Sequence, residues 1–427
     1  MDASLVTAIA GLVLAWSLLS GALSQREVTG PIVFVLAGYL LGNPAWGPFP
    51  VDIETGAVHT LAEVTLALVL FSDASRVDLR RLRRQVALPA RLLGIGLPLT
   101  LLLGAAAAYV LLDDPAWSLA LFVGAALAPT DAALSAQVIG DERVPRRLRL
   151  AVNVESGLND GIATPVVAVA LALAVSDLGL GPGADHPSVG EALAAIVVAC
   201  VIGVALGVLG AVGVNVAGAR GSALPGGRQL AALAVAVGGF ALAVAIDGNG
   251  FIAAFVAGLA FGHVVDRSQT EDDADGDVTV LPELGGELLA LVVWFLFGAA
   301  LVPLAIEDGG PLAWVYALLS LTLLRMVPVA VALAGAGLRP REVLFLGWFG
   351  PRGLASVVFA LLALEQLGES DRVGSVVAVV ATTVLLSVVL HGVSAGPAAR
   401  RFGVAGEPTP TRSGERPRRS WAQRTRH

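Results

Sequence analysis

The stretch APTDAALS, residues 128–135, interrupts an apolar run that extends from residue 117 to residue 139. Pro129 has no backbone N–H, so it leaves carbonyl groups of the preceding helical turn without a partner. Thr130 and Asp131 follow directly and add polar side chains at the same depth. In a bilayer, unpaired backbone groups and charged side chains persist only where they line protein or a water-filled cavity. The stretch therefore predicts a membrane helix that is broken near its middle.

The composition of the chain is that of an integral membrane protein. Of its 427 residues, 56% are hydrophobic and 14% are charged, whereas soluble domains carry about 25% charged residues. Apolar runs near the roughly 20 residues that cross a bilayer recur along the chain. We therefore predict an all-α polytopic protein with a single transmembrane domain over residues 1–396 and an arginine-rich, disordered tail over residues 397–427. A net charge of −7 with scattered arginines argues against a nucleic-acid partner.

Thirteen membrane spans are predicted from the apolar runs, and the broken run over residues 117–139 is the fifth. Lysine is absent, so arginine alone reports the asymmetry by which basic residues remain on the cytoplasmic side. Arginines cluster in alternate connections, at 75–84 and 142–149, and again from Arg400 onward. This pattern predicts a cell-membrane protein with its N-terminus outside and its C-terminus in the cytoplasm. The basic loops and tail are also expected to attract anionic lipid.

A second break is predicted in the twelfth span, residues 341–365. There the stretch WFGPRGLASVV, residues 348–358, places two glycines and Pro351 around a charged Arg352. The fifth and twelfth spans are seven positions apart and so run through the membrane in opposite directions. This pattern is typical of inverted-topology repeats, in which two discontinuous helices cross near the midplane and form an ion site. Asp131 and Arg352 are then expected to offset the partial charges of the facing helix ends.

Two further carboxylates lie in the sixth span, in the stretch NVESGLNDGIATP, residues 153–165. On a helix, Ser156 and Asp160 are four residues apart and share one face. Glu155 and Asn159 share a neighbouring face. The two carboxylates can therefore have different roles.

Arg325, in the eleventh span, is a charge that requires a buried anion. Glu155 is its best available partner, and this pair would hold Glu155 ionised. Asp160 then has no fixed counter-ion, and because burial disfavours the ionised form, a proton and a cation can compete for it. Oxygens of Asp160, Ser156 and Thr130 suit a small alkali cation such as Na⁺, and the spans offer no thiolate or imidazole cluster for a transition metal. No cofactor is expected.

These motifs resemble those of the NhaP-type sodium/proton antiporters, in the monovalent cation:proton antiporter family that includes the eukaryotic sodium/proton exchangers. The resemblance covers essentially the whole chain to about residue 396. It implies a homodimer of thirteen-helix subunits, each with a core bundle that carries the site and a dimerisation bundle beside it. The motifs that carry it are APTDAALS, ESGLNDG, GNGFIAAFVAGLAFG (248–262), the eleventh-span Arg325 and GPRGLASVVFALL.

The resemblance also implies a role for each polar residue of the motifs. An asparagine before the aspartate, here Asn159, is similar to the electroneutral branch, which exchanges one cation for one proton. Family members commonly read TDP, whereas Asp131 is followed here by Ala132, so the break is expected to differ in position or shape. The implied roles are ion or proton binding by Asp160 with Thr130 and Ser156 as further ligands, fixing of the site by Asn159, pairing of Glu155 with Arg325, and stabilisation of the crossed helices by Asp131 and Arg352.

Exchange of Na⁺ or Li⁺ for H⁺ by alternating access is therefore the predicted activity. Potassium/proton exchange is the nearest alternative, because the cavity dimensions that select the cation are not readable from sequence. A carrier of organic anions on a related fold is a more distant alternative, against which a titrating Asp160 argues. An enzyme is not predicted, because no Ser/His pair is placed in the spans and Asp131 and Asp160 lack the setting of an aspartyl protease.

Asp73 and the histidines allow two interpretations each. Asp73 ends the third span on the cytoplasmic side, where it either lines an inner funnel that attracts cations or is an interfacial residue near Arg76. His59, His186 and His391 lie near predicted span ends or in loops. For these rings a pH-sensing role is the less favoured interpretation.

Overall fold

The computed structural model describes residues 3–24, 28–51, 56–77, 87–112, 116–179, 189–265, 277–307, 309–368 and 370–403. Helices make up the regular structure of these residues, in agreement with the predicted all-α class. In chain order they are α1 (Ala3–Ser24), α2 (Gly30–Leu41), α3 (Gly56–Ser75), α4 (Ala87–Leu111), α5 (Trp117–Ala126), α6 (Ala132–Gly140), α7 (Arg146–Asp177), α8 (Val189–Ala219), α9 (Pro225–Ala245), α10 (Gly250–Val264), α11 (Val280–Glu307), α12 (Gly310–Ala332), α13 (Pro340–Trp348), α14 (Leu354–Leu367) and α15 (Asp371–Gly403).

Among the described residues, nine helices are long and apolar enough to cross a membrane. They are α1, α3, α4, α7, α8, α9, α11, α12 and α15. Four shorter apolar helices, α2, α5, α10 and α14, accompany them. The chain is thus a multi-pass membrane protein, while the count of thirteen spans stays a prediction.

The fifth and twelfth predicted spans are each interrupted. Helix α5 ends at Ala126 and α6 begins at Ala132, so the chain is not helical around Pro129. Helix α13 ends at Trp348 and α14 begins at Leu354, with Pro351 between them. Each proline removes a donor from the helical ladder, which explains why the helix ends close to it. The four short helices α5, α6, α13 and α14 meet around these two gaps.

Helix α10 brings α3 close to the centre of the molecule through two glycines one turn apart. A Cβ atom on Gly258 would lie 2.4 Å from the carbonyl oxygen of Phe71, and one on Gly262 would lie 2.0 Å from that of Ser75. Small residues at this spacing let membrane helices approach with their backbones nearly in contact. This approach fixes the end of α3 that carries Asp73.

The last helix is longer than the sequence indicated. The prediction ended the transmembrane domain at residue 396 and assigned residues 397–427 to a disordered tail. Helix α15 instead continues to Gly403 and has Arg400 and Arg401 in its last turn. Basic side chains there complement the negative end of the helix dipole, which favours the extension. Residues 404–427 of the predicted tail and residues 78–84 of the basic connection predicted at 75–84 lie outside the described residues.

Candidate functional site

Asp131 lies where the two interruptions meet and caps two helices at once. Its Oδ1 accepts a hydrogen bond from the backbone N–H of Leu134 at 3.0 Å, and its Oδ2 accepts one from Leu354 at 2.9 Å. Its own backbone N–H donates to the carbonyl of Pro351 at 2.8 Å. A carboxylate at a helix N-terminus is stabilised by the free N–H groups and by the helix dipole. Asp131 therefore joins the starts of α6 and α14.

Gly353 is the residue that allows this contact. A Cβ atom at this position would lie 1.8 Å from Asp131 Oδ2, well inside the contact distance of two atoms. The second glycine of the GPRG motif thus provides space for the carboxylate that caps α14.

Arg352 donates hydrogen bonds to the carbonyl end of the broken span, just after α5. Its side chain is fully buried, and its Nη1 donates to the carbonyls of Ala128 at 2.9 Å and Pro129 at 3.2 Å. Its Nη2 donates to the carbonyl of Ser320 at 3.3 Å. Two of these acceptors follow the last turn of α5, where carbonyl groups lack helical partners. The arginine thereby offsets the negative end of α5.

Thr130, Ser156 and Asn159 form a buried polar cluster between the first interruption and α7. The hydroxyl oxygens of Thr130 and Ser156 are 3.0 Å apart, and Asn159 Nδ2 donates to Thr130 Oγ1 at 2.6 Å. All three residues are at most 2% exposed. The structure therefore brings together the two predicted hydroxyl ligands and places the predicted fixing residue beside them.

Glu155 and Arg325 form a buried ion pair. Arg325 Nη1 lies 2.7 Å from Glu155 Oε1, and both side chains are 1% exposed. The two atoms attract each other as opposite charges, but the geometry of the contact is not that of a hydrogen bond. Among the described residues, neither atom has a hydrogen-bond partner. Gly350 lies directly against this pair, since a Cβ atom there would be 2.5 Å from Arg325 Nε. The first glycine of GPRG thus makes room for the arginine.

Asp160 differs from the other site residues because the described part of the chain holds its carboxylate with neither an ion pair nor a hydrogen bond. Its backbone carbonyl accepts from Thr164 Oγ1 at 2.7 Å within the same helix. The carboxylates of Asp73 and Asp131 are close enough to act on Asp160 electrostatically. An ionised carboxylate beside Asp160 disfavours a second negative charge there and so favours a bound cation or proton at this position.

Asp73 lies against α7 on the face that carries Asp160. A Cβ atom on Gly157, one turn before Asp160, would be 3.9 Å from Asp73 Cβ. Arg76, the neighbour that the interfacial interpretation gave to Asp73, forms an ion pair with Glu283 of α11. The position of Asp73 is thus compatible with the funnel interpretation.

A cavity of about 820 Å³ opens along the later half of α7. It reaches Thr164, one helical turn or about 6 Å beyond Asp160. Glu63 and Glu191 both line this cavity, although they are far apart in the chain and no local sequence pattern links them. The lining includes Glu63, Thr164, Glu191, Asp247, Phe251 and Phe359.

No group of three or more His, Cys, Asp or Glu side chains in the described ranges has the arrangement that holds a metal ion. The donors predicted for the site are instead the Asp160 carboxylate and the hydroxyl groups of Thr130 and Ser156, of which the two hydroxyl oxygens are 3.0 Å apart. Such oxygen donors match a weakly held alkali cation better than a tightly bound transition metal.

Comparison with known proteins gives a consistent result. The family model described as sodium/hydrogen exchanger, transmembrane, matches residues 5–401. The Na⁺/H⁺ antiporter NhaP of Pseudomonas aeruginosa is 29% identical over 80% of this chain and 81% of its own length. The K⁺/H⁺ antiporter NhaP of Alkalimonas amylolytica is 25% identical over 93% of this chain and 67% of its own. The solved structure of the sodium proton antiporter MjNhaP1 from Methanocaldococcus jannaschii matches with a TM-score of 0.73 and 22% identity, covering 93% of this chain and 99% of that one.

Proposed function

Because this chain belongs to the transmembrane sodium/hydrogen exchanger family, we propose that it exchanges Na⁺ or Li⁺ for H⁺ across the cell membrane, with both ions competing for Asp160. One observation carries the proposal. Asp131, Glu155, Arg325 and Arg352 each have a partner of opposite charge or a helix end, whereas the carboxylate of Asp160 has neither among the residues that the structure describes. It is the site charge that an incoming ion can neutralise.

The proposed site binds Na⁺ through oxygens of Asp160, Ser156 and Thr130. Asn159 donates to the Thr130 hydroxyl and so leaves the lone pairs of that oxygen in a fixed direction. The carboxylate holds either one monovalent cation or one proton, so both loaded states carry the same charge. This equality supports an electroneutral exchange of one cation for one proton.

We propose that the ions reach Asp160 by alternating access from two sides. Asp73 and the acidic side chains near Arg76 lie toward the start of α7, which the arginine pattern assigns to the cytoplasm. The cavity that ends at Thr164 lies toward the other end of α7 and would open outside. Carboxylates on both approaches favour cations over anions, which supports a cation exchanger over an organic-anion carrier.

Replacement of Asp160 by Asn tests the proposal directly. The substitution keeps the shape of the side chain but removes its charge and its titration. In proteoliposomes with an internal pH dye, the wild-type protein is expected to move protons when Na⁺ or Li⁺ is added, and the Asp160→Asn variant is expected to give only background flux. Asp177→Asn, the same change at the exposed end of the same helix, should retain exchange. Sodium-dependent proton flux that survives in Asp160→Asn would remove this residue from the mechanism.

Potassium/proton exchange is the second candidate, favoured by the similarity to the K⁺/H⁺ antiporter of Alkalimonas amylolytica. The same vesicles, assayed with Na⁺, Li⁺ and K⁺ in turn and with the membrane potential collapsed, separate the two candidates. Response to Na⁺ and Li⁺ alone supports the first candidate, and response to K⁺ alone supports the second. Flux that changes when a potential is imposed would contradict one-for-one exchange.

A homodimer in the membrane, with anionic lipid around its basic cytoplasmic surface, completes the proposal. Helix α8 exposes a row of large apolar side chains that fits either lipid or a second subunit. The native mass in lipid nanodiscs measures the oligomeric state, and a mass of one subunit would contradict the dimer. The row consists of Leu193, Val197, Val201, Val204, Leu209, Val212 and Val216.

A further inference from the structure

The two interruptions create four helix ends, and three of them are served by residues already described. Asp131 caps the starts of α6 and α14, and Arg352 donates to carbonyls after the end of α5. The fourth is the end of α13 at Trp348, where the last carbonyls also lack helical partners. None of the residues that were assigned to the ion site from the sequence donates a hydrogen bond to this end.

His391, on α15, adds a side-chain partner at the fourth end, where the Trp348 carbonyl also accepts the backbone N–H of Gly350 at 2.8 Å. Its Nε2 lies 2.9 Å from the carbonyl oxygen of Trp348, and its ring packs against the Trp348 indole with centroids 5.1 Å apart. The apolar pattern predicts that His391 lies near the end of the last span. In the structure α15 continues to Gly403, and the histidine is 1% exposed. A buried imidazole with its N–H on a backbone carbonyl is held in one orientation.

The other ring nitrogen, Nδ1, faces Ser387, which contacts the backbone of Arg352 on the second side of the interruption. We assign the ring hydrogen to Nε2, so that Nδ1 is an acceptor and lies 3.2 Å from Ser387 Oγ. The Ser387 carbonyl oxygen, 3.0 Å from Nδ1, is also an acceptor, so this second contact is not a hydrogen bond. The Ser387 hydroxyl oxygen accepts the backbone N–H of Arg352 at 2.7 Å, so its own hydrogen is free to point at Nδ1. One turn of α15 therefore holds both edges of the gap, Trp348 on one side and Arg352 on the other.

We propose that His391 and Ser387 form a positioning pair, which fixes the gap between α13 and α14 and thereby sets the cation affinity of the site. The inference rests on the proposed exchange at Asp160 and extends it to residues that do not touch the ion. Groups that orient the ligands of an ion commonly change its affinity by about 10- to 100-fold when they are removed.

Two routes connect this pair to the proposed ligands. Along the first, Gly350 lies against Arg325, which pairs with Glu155, the residue before Ser156. Along the second, Arg352 donates to the carbonyls of Ala128 and Pro129, directly before Thr130.

Both routes end at the residue directly before a proposed hydroxyl ligand, Glu155 before Ser156 and Pro129 before Thr130. A shift of the gap by a few tenths of an ångström would move both ligands together. The pair should therefore affect binding of the cation more than the maximal rate.

The competing explanation is that His391 only fills space and stabilises the fold. It is distinguishable because packing alone would change thermal stability without changing the Na⁺ concentration at half-maximal exchange. Thr383 offers a matched control on α15, since it is equally buried and its hydroxyl bonds only within its own helix, to Val379 at 2.8 Å.

The experiment measures KM for Na⁺, maximal rate and Tm for the wild type and five variants in proteoliposomes. His391→Leu is expected to raise KM about 10-fold, and Ser387→Ala is expected to raise it in the same direction. His391→Gln, which keeps an N–H for the Trp348 carbonyl, should recover part of the affinity. Thr383→Val should leave KM unchanged. Because the pair acts as one unit, the double variant His391→Leu/Ser387→Ala should have nearly the KM of the worse single variant.

Failure of this inference and failure of the proposed function give different results. A wild-type protein without cation-dependent proton flux refutes the proposed function. Wild-type exchange with an unchanged KM in His391→Leu refutes the positioning pair, whatever the change in Tm. Where that variant folds, a double variant whose effects multiply also refutes the pair. Should it not fold, an unchanged KM in both His391→Gln and Ser387→Ala refutes the pair equally.

Discussion

Glu155 and Arg325 illustrate how one buried residue depends on another. Both are 1% exposed and their charged atoms are 2.7 Å apart. Removing one partner of such a pair leaves the other charge buried without compensation, which costs more than the pair itself contributes. The sequence analysis proposed this pair from the scarcity of buried charges, and their separation of 170 positions shows why no local motif could have established the contact.

We expect Glu155→Ala to lower the free energy of unfolding by about 3 kcal/mol or more. Denaturation in detergent, followed by intrinsic fluorescence, measures the change. Glu283→Gln is the matched control, because it breaks a partly exposed pair with Arg76 and should cost about 1 kcal/mol or less. Replacing both members, as Glu155→Ala/Arg325→Met, should recover part of the loss. Equal stability of wild type and Glu155→Ala would show that the pair does not support the fold.

At the scale of elements, the prolines gave the approximate places where α5 and α13 end. Pro129 and Pro351 lie inside the two non-helical segments, 127–131 and 349–353. The sequence did not give the contacts between these segments, because Asp131 and Leu354 are 223 positions apart. It also missed the role of His391, since the apolar pattern near the end of the last span fades before the helix ends.

Gly353→Ala tests the junction of the two interruptions. Its new methyl group would overlap the Asp131 carboxylate that caps α14, so we expect a loss of about 1–3 kcal/mol in stability. Exchange activity should also fall, because Asp131 and Thr130 are adjacent. Gly374→Ala, in α15 with no atom within 4 Å of the added Cβ, is the control and should be neutral or slightly stabilising. A Gly353→Ala protein with wild-type melting temperature and activity would disprove the close contact.

At the scale of the whole molecule, Asp160 lies on α7 between the two routes proposed for the ions, and different side chains lie along each route. Toward the start of α7 lies the carboxylate of Asp73, on a helix held close by the glycines of α10. Toward its other end is the cavity of about 820 Å³, lined by acidic and aromatic side chains. Thr164, which lines this cavity, is one helical turn beyond Asp160. Such an arrangement suits a transporter that opens to one side at a time.

Cysteine labelling tests which side the cavity faces. In a Cys200→Ser background, a membrane-impermeant thiol reagent added outside intact cells should label Ala168→Cys, which lines the cavity. Asn153→Cys, exposed at the other end of the same helix, should be labelled only from the cytoplasmic side. Ala163→Cys, fully buried on α7, is the unreactive control. Labelling of Ala168→Cys from the cytoplasm alone would reverse the proposed orientation.

The sequence by itself determined the membrane class, the places of the two interruptions and the small set of buried polar residues. These follow from composition, proline chemistry and the cost of charge in lipid, which act locally and can be read residue by residue. Only the tertiary structure decided which side chain contacts which helix end, including the contact of His391 with the end of α13. It also decided that Gly350 and Gly353 leave space for Arg325 and Asp131. Those contacts join residues far apart in the chain, and their geometry depends on how all the helices pack together.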